Sequence, residues 1–146
     1  MPAIETEAQR AARYAAKDVV DKLGVRPGDA VLIAGAADAE LVVRARKKAG
    51  RPAARSGELA DVALYWPRTA GEVTARLRAL RKRVVETGGI WVISSKRGME
   101  RADRPYLANE VIGLGLAAGL VDNKICSISE RDTAMRFVVR RANRRG

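Results

Sequence analysis

The side chains that this sequence offers for chemistry are dominated by cations. Its 146 residues include 28 lysines and arginines against 17 aspartates and glutamates, which gives a formal net charge of +11. The sequence contains no histidine, and Cys126 is its single cysteine. Histidine acid–base catalysis, a zinc site made of cysteines and histidines, and an internal disulfide are therefore excluded. The sequence predicts no catalytic residue and no metal ligand, and it predicts that Cys126 is a small buried side chain in a strand.

Three cations that follow predicted strands could bind an anion. Arg68 comes after one strand, and Lys96 and Arg97 come after the next. Ligands of an open α/β sheet collect in the crevice beyond the carboxyl ends of the strands, and a helix that begins near Asp38 would add free N–H groups there. We therefore predict a modest site for an anionic or phosphorylated small ligand, with Lys96 as its direct contact. The alternative is that Lys96 and Arg97 only begin a solvated loop.

The residues that end the three strands complete the predicted site. Trp66 would be its apolar wall, although a tryptophan at this position could equally cap the core. The full set of predicted site residues is Gly35, Ala36, Ala37, Asp38, Trp66, Arg68, Ser95, Lys96 and Arg97.

The other cations are spread along the chain in three clusters. These clusters are Arg44, Arg46, Lys47 and Lys48; Arg81, Lys82 and Arg83; and Arg140, Arg141, Arg144 and Arg145. Dispersed cations attract polyanions without reading a base sequence, so we expect any association with DNA or RNA to be non-specific and to weaken as salt rises. The alternative is that these side chains form the solvated faces of helices and a frayed terminus.

The elements that must position these residues begin with a helix and a buried strand. The spacing of apolar residues predicts a helix over 7–23, and Thr6 and Gln9 form a capping box at its start. Residues 31–33 form an uninterrupted apolar run, which is typical of a strand that is buried on both faces.

Helices and strands then alternate along the chain. The predicted elements are a helix over 38–49, an edge strand near Ala53, a strand over 61–67, a helix from Thr69 that ends at Gly88 and Gly89, a strand over 90–94, a helix over 106–120, and two strands over 124–129 and 134–141. Gly113 and Gly115 would let the last helix pack closely against the sheet. Asp61 is expected to make a structural hydrogen bond, whereas Glu130 and Asp132 fall in a turn between the last two strands, where acidic residues are ordinary.

This alternation predicts an α/β fold. We expect a doubly wound, mostly parallel sheet of five or six strands, with an antiparallel pair at the C-terminus and helices on both faces. The length suits a single domain over 1–146, with an N-terminal helix within 1–22 and a frayed basic tail at 142–146. No membrane helix or signal sequence is predicted, which indicates a cytoplasmic protein.

Several segments resemble class I S-adenosylmethionine-dependent methyltransferases. Residues 23–35 resemble the first strand and its motif, 61–67 the fourth strand, and 88–95 the fifth strand. The segment 115–141 is similar to the end of a family of small bacterial methyltransferase-like proteins, in which a lysine stands at the position of Lys96. That family tends to have a tryptophan at the position of Asp132.

The sequence departs from the methyltransferase pattern at the positions that would hold the cofactor. Ile33 stands where these enzymes have an acidic residue, and Gly35 is the only glycine left of the turn that lets the backbone approach the cofactor. The acidic residue that normally holds the ribose hydroxyls, at the end of the second strand, has no counterpart in 51–56. The resemblance therefore implies a cofactor site that is weak or lost.

Three functions remain open on this basis. The first is a non-catalytic binding or regulatory domain on a methyltransferase-like scaffold, acting through a partner protein or a phosphorylated ligand. The second is an active S-adenosylmethionine-dependent methyltransferase that works by holding its reactants together. The third is non-specific binding of nucleic acid or another polyanion. The sequence leaves the oligomeric state open.

Overall fold

The computed structural model describes residues 6–7, 18–52 and 54–140. Most of the predicted N-terminal helix, the capping partner Gln9, Ala53 and the tail at 142–146 lie outside these ranges. No helix within them has the length and apolar character that crossing a bilayer requires.

The described chain alternates helices and strands, as predicted. The elements are α1 (Val19–Lys22), β1 (Val31–Gly35), α2 (Ala39–Ala49), β2 (Ala60–Trp66), a 3₁₀ turn (Ala70–Glu72) that leads into α3 (Val73–Arg81), β3 (Val84–Ser95), α4 (Ala108–Ala117), β4 (Leu120–Ser127) and β5 (Asp132–Val139). The described residues between Gly50 and Ala60 form no strand, so the edge strand expected near Ala53 finds no support on either side of it.

One mixed sheet of five strands carries the fold, in the order β1-β2-β3-β5-β4. The first three strands are parallel, and β5 pairs antiparallel with both β3 and β4. The predicted fold class, with its antiparallel C-terminal pair, is confirmed. Residues 90–94 lie in the middle of the sheet, where β3 pairs with β2 on one side and β5 on the other.

Helices cover both faces of the sheet. On one face α3 and α4 pack Leu77 and Val111 against Tyr65 and Phe137 of the sheet. On the other face α1 and α2 meet a second apolar cluster, which contains Trp91. Each strand therefore divides its alternate side chains between two cores, as a doubly wound sheet requires.

Asp61 and Cys126 take the structural roles that the sequence predicts for them. The Asp61 carboxylate accepts a hydrogen bond from the N–H of Ala30 at 2.8 Å, which ties the start of β1 to β2. Cys126 is buried in β4, and burial raises the pKa of its thiol.

The strand β1 is less buried than its sequence indicates. Its apolar run predicts burial on both faces, but among the described strands β1 lies at the edge of the sheet and pairs with β2 alone. Leu32, Ile33 and Ala34 are accordingly half-buried. An apolar run reports the environment of the two faces of a strand, and it carries no information about which strand lies beside it.

The glycine pair Gly88-Gly89 also has a different role from the predicted one. The helix α3 ends at Arg81, and both glycines lie inside β3. A Cβ on Gly89 would lie 2.2 Å from Nε of Arg136, and one on Gly88 would lie 2.6 Å from the Asp61 carbonyl oxygen. The two glycines therefore make room for the atoms that pack on β3, and they do not terminate a helix.

Candidate functional site

The carboxyl ends of the three parallel strands form one edge of the sheet, as the predicted site requires. The strands end at Gly35, Trp66 and Ser95, and their order places Trp66 between the other two. Neighbouring strands lie about 4.8 Å apart, so two strand spacings, or roughly 10 Å across the sheet, separate β1, which ends at Gly35, from β3, which ends at Ser95.

Gly35 is held against β2 by the pairing of the strands. It pairs with Trp66 in the ladder, and its φ is 82°. A Cβ at this position would lie 1.9 Å from the carbonyl oxygen of Trp66, and the same oxygen accepts a hydrogen bond from the N–H of Ala36 at 3.0 Å. The absence of a side chain at Gly35 therefore serves the sheet itself.

The start of α2 supplies its own capping group. Asp38 is the N-cap, and its Oδ1 accepts hydrogen bonds from the N–H groups of Glu40 at 3.0 Å and Leu41 at 3.3 Å. These are the backbone donors that the sequence analysis assigned to an anion. The carboxylate of the same residue occupies them and adds a negative charge.

Trp66 lies within the core on the α2 face. Only 1% of its surface is exposed, and it packs in the same cluster as Leu64 and Ile93. Of the two roles that the sequence left open for this tryptophan, the structure shows that it caps the core.

Lys96 and Arg97 lie beside the start of α4 and away from α2. The Lys96 ammonium donates a hydrogen bond to the Ser127 hydroxyl oxygen at 2.6 Å, and its backbone N–H donates to the Arg131 carbonyl oxygen at 2.8 Å. A cleft of about 270 Å³ opens here, and the residues that line it are Ser95, Lys96, Arg97, Leu107, Ala108, Asn109 and Thr133.

The predicted site is thus divided by the fold. Ser95, Lys96 and Arg97 come together in the cleft beside α4, whereas Gly35, Ala36, Ala37, Asp38, Trp66 and Arg68 do not line it. Arg68 is exposed on the loop after β2, where its backbone N–H donates to the Glu72 carboxylate at 3.0 Å.

That loop is fixed by Glu72. Its carboxylate accepts hydrogen bonds from the N–H of Thr69, at 3.1 Å, and from the Tyr65 hydroxyl, at 2.8 Å, and the predicted capping box with Thr69 is present. Burial pushes the pKa of Glu72 upward, but these hydrogen bonds outweigh it and hold the pKa below its usual range. Burial, and then the hydrogen bond to Glu72, raise the pKa of Tyr65. Glu72 is therefore an ionised anchor of this edge, and Tyr65 is a neutral donor.

An ionic cluster that no sequence pattern predicted fixes the loop after β3. Asp132 accepts two hydrogen bonds from Arg101, at 2.9 and 3.0 Å, and one from Arg104 at 2.5 Å. The hydroxyl of Ser95 donates to the Arg104 carbonyl oxygen at 2.5 Å, and the Tyr106 hydroxyl donates to the carbonyl oxygen of Pro67. These contacts hold the loop 96–107 against the carboxyl ends of β2 and β3.

Asp132 lies in a strand and not in the predicted turn. It is the first residue of β5 and is paired with Ser95. The ion pairs join residues 28 and 31 positions apart. No local periodicity reports such a pairing, and the only signal in the sequence was a polar loop that carries three arginines.

The residues present do not fit S-adenosylmethionine in the way that the resemblance implies. In the described part of 51–59 the acidic side chain is Glu58, and it is bound by Arg51 at 2.5 and 3.0 Å. This pair precedes β2 and follows the end of α2, where the Ala49 carbonyl accepts from the N–H of Gly28 at 2.7 Å. The carboxylate therefore lies at the amino end of the strands, opposite the edge where a ribose would bind.

Comparison with known proteins identifies the fold. No family model and no curated protein sequence matches this chain. A putative methyltransferase from Thermoplasma acidophilum matches 80% of this chain and 70% of its own, with a TM-score of 0.56 and 7% identity. Magnesium protoporphyrin IX methyltransferase (ChlM) from Synechocystis PCC 6803, solved with bound SAM, matches 96% and 87%, with a TM-score of 0.56 and 12% identity.

A third solved structure has a higher TM-score over part of its length. The pyocyanin biosynthetic protein PhzM matches 91% of this chain with a TM-score of 0.67 and 14% identity, and this chain spans 56% of PhzM. At such identities the likeness shows the fold alone. The chain has a methyltransferase-like, Rossmann-like fold.

Proposed function

We propose that this methyltransferase-like domain is a non-catalytic binding or regulatory module that does not use S-adenosylmethionine as a substrate. The observation that carries the proposal is the position of β1 at the edge of the sheet. The resemblance equates β1 with the first strand of a methyltransferase and β2 with the fourth. The described chain forms no strand between them and none beyond β1, so the strand that would hold the ribose has no counterpart there.

The glycine motif supports the same proposal. Gly35 is the glycine that remains of the cofactor turn, and its close contact with the Trp66 carbonyl oxygen accounts for it. Ile33, at the position of the acidic residue, packs against the apolar cluster under α2. Both residues have structural roles, and neither offers a polar group to a cofactor.

The ligand that the site favours is a small anion. The cleft beside α4 places Lys96 and Arg97 next to the first residues of a ten-residue helix. The Glu110 carboxylate already accepts from the N–H of Leu107 there, so the two cations supply the attraction for an anion. The hydrogen bond of Lys96 to Ser127 orients its ammonium group. A phosphorylated metabolite of modest size matches the charge and the volume of this cleft.

Calorimetry with S-adenosylmethionine and S-adenosylhomocysteine tests the loss of the cofactor site. We expect no saturable heat at low micromolar ligand, because the strand whose acidic residue would hold the ribose has no counterpart in the described chain. A sharp isotherm in that range would contradict the proposal and favour an active methyltransferase.

A titration with pyrophosphate, followed by amide NMR, tests the anion site separately. We expect shifts at residues 95–97 and 107–109 that saturate and that are lost in Lys96→Ala. The matched control is Lys124→Ala, since Lys124 is an exposed lysine that lines neither this cleft nor the groove beside α3. Equal amide shifts in the two variants would show that pyrophosphate responds only to the overall charge of the protein and does not bind in this cleft.

Non-specific polyanion binding remains as a second proposal, and one surface favours it. Arg78, Arg81 and Lys82 line a groove of about 680 Å³ beside the end of α3. Binding of a nucleic acid there should fall steeply between 50 and about 200 mM salt and should show no base preference. A preferred sequence that survives moderate salt would contradict it.

A further inference from the structure

We propose that a sugar phosphate, either free or within a nucleotide, binds in a cavity of about 400 Å³ near the amino ends of β2 and β3, on the face of the sheet that carries α1. This volume is within the range of small-molecule sites. The cleft beside α4 lies at the other end of β3, so the proposal does not rest on the ligand proposed for that cleft.

A bulge in β3 shapes one wall of the cavity. The ladder pairs Ala60 with Val84 and Val62 with Gly89, so Asp61 of β2 stands opposite the four residues 85–88 of β3. Residues 85, 87 and 88 of this bulge line the cavity. Bulges are frequent beside functional sites, because they displace the backbone from the regular pleat and redirect its side chains.

Two cations stand side by side on the neighbouring strands. Lys124 of β4 pairs with Arg136 of β5, and both line the cavity. Arg136 also pairs with Trp91 of β3, and its guanidinium lies over Gly89, where a Cβ would be 2.8 Å from Cζ. Like charges directly opposite each other in a ladder are destabilising. An anion bound beside them would offset this repulsion.

The helix α1 and the loop after it bring further positive charge to the same cavity. Lys22 of α1 lines the cavity and is only 7% exposed, and Arg26 of the loop lines it as well. Burial raises the pKa of the Cys126 thiol, and the charges of Lys22 and Lys124 both oppose that shift, so both ammonium groups act on one point of the sheet. Four cations from separate elements thus converge on one cavity, and their combined field favours an anion.

Two carboxylates of the cavity narrow the class of ligand. Asp29 and Asp61 line it, and each is held by a backbone N–H, that of Arg26 at 2.9 Å and that of Ala30 at 2.8 Å. A carboxylate accepts several hydrogen bonds, so these fixed groups can also accept from the hydroxyls of a ligand. A sugar phosphate matches both sets of charges, because its phosphate faces the cations and its hydroxyls face the carboxylates.

Amide NMR titrations of the full chain with inorganic phosphate, ribose 5-phosphate and adenosine 5′-monophosphate test the proposal. We expect saturable shifts at Gly24, Thr87 and Gly88, and about tenfold tighter binding of ribose 5-phosphate than of phosphate, because hydroxyl bonds to a carboxylate are charge-assisted. Tighter binding of the nucleotide than of ribose 5-phosphate would indicate a nucleotide, and equal or weaker binding a free sugar phosphate. The proposal is overturned by an absence of saturable shifts at these residues, or by equal affinity for phosphate and ribose 5-phosphate.

A lysine substitution locates the phosphate. Lys124→Ala should weaken the binding of ribose 5-phosphate about tenfold, since it removes one charge-assisted contact. The matched control is Lys47→Ala, because Lys47 is an exposed lysine that does not line the cavity. Equal losses in the two variants would overturn the proposal. Shifts at residues 95–97 report on the cleft beside α4, so failure of one site is read separately from failure of the other.

Asp29→Asn tests the contact with the sugar. The amide oxygen can still accept from the N–H of Arg26, so the loop keeps its hydrogen bond while one negative charge is lost. We expect weaker binding of ribose 5-phosphate and tighter binding of inorganic phosphate, because the amide is a poorer acceptor for a hydroxyl and no longer repels the phosphate. An equal gain in affinity for both ligands would show that the carboxylate does not contact the sugar, and would overturn the proposal.

Discussion

Gly35 and the carbonyl oxygen of Trp66 are so close that no side chain fits between them, since a Cβ at position 35 would lie 1.9 Å from that oxygen. The backbone φ of Gly35 is 82°, a conformation that other residues adopt at a cost. We expect Gly35→Ala to lower the free energy of unfolding by about 3 kcal/mol or more, because both the clash and the strain act. Urea denaturation measures this loss.

Gly50→Ala is the matched control for that prediction. Gly50 also has a positive φ, 71°, but a Cβ there would meet nothing within 4 Å. It should cost only about 1–2 kcal/mol, which is the strain of a Cβ in the left-handed conformation. Equal losses of unfolding free energy in the two variants would show that the close contact between Gly35 and the Trp66 carbonyl oxygen does not contribute to the cost of Gly35→Ala.

The cluster around Asp132 should be a major contributor to the order of the loop 96–107. Only 14% of the Asp132 side chain is exposed, and its carboxylate pairs with both Arg101 and Arg104. Asp132→Asn leaves Arg104 without a counter-charge and leaves Arg101 with the exposed Asp103 alone, at 3.5 Å, so we expect a loss of about 3–5 kcal/mol in urea denaturation. The exposed pair of Arg51 and Glu58 is the control, and Glu58→Gln should change stability far less. A small loss in Asp132→Asn would show that solvent screens this cluster.

Glu72 should make the stability depend on acidity. Its pKa in the folded protein is below its ordinary value, so its contribution is complete above the unfolded pKa of about 4.3 and is lost as pH falls through the lowered folded value. Glu72→Gln should therefore cost about 1–3 kcal/mol at pH 7 and much less at pH 3. Urea midpoints at both pH values measure this, with Glu130→Gln on an exposed turn as the control. A difference that stays constant with pH would contradict the assignment.

The sequence was sufficient to predict the elements that repeat a local pattern. The helices after β1, the three parallel strands and the C-terminal pair follow from apolar spacing and caps such as that of Thr69 and Glu72. The helix predicted over 7–23 is not continuous, because Asp18 has a non-helical backbone and caps the short α1. The close packing expected at Gly115 is present, where a Cβ would lie 2.0 Å from a ring atom of Phe137, whereas Gly113 has nothing within 4 Å. Boundaries shifted by a few residues, as for β4, which begins at Leu120 and not at Lys124.

What the sequence could not show depends on contacts between distant residues. The position of β1 at the edge is decided by how many strands the rest of the chain forms. The pairing of Asp132 with Arg101 depends on the loop that folds back over β3. The predicted site is divided because the Lys96 side chain points toward Ser127 of β4. The spacing of residues along the chain does not predict this orientation.

Gly89 and Arg136 offer a test in which the sign of an effect changes. The Arg136 side chain crosses Gly89 so closely that a Cβ would lie 2.2 Å from Nε, 2.8 Å from Cζ and 2.9 Å from Cγ. Gly89→Ala should cost about 1–3 kcal/mol in urea denaturation, because the side chain of Arg136, a residue of β5, must move away from β3.

In an Arg136→Ala background the obstacle is gone, and the same substitution should be neutral or stabilising. A glycine inside a strand costs about 0.5–1 kcal/mol relative to alanine, since it loses more conformational freedom on folding. The two single variants and the double variant form a cycle whose coupling energy isolates the contact from whatever else Arg136 does. A coupling energy near zero would mean that the backbone conformation of β3 requires a glycine at position 89. The contact with the Arg136 side chain would then not be the reason for the cost of Gly89→Ala.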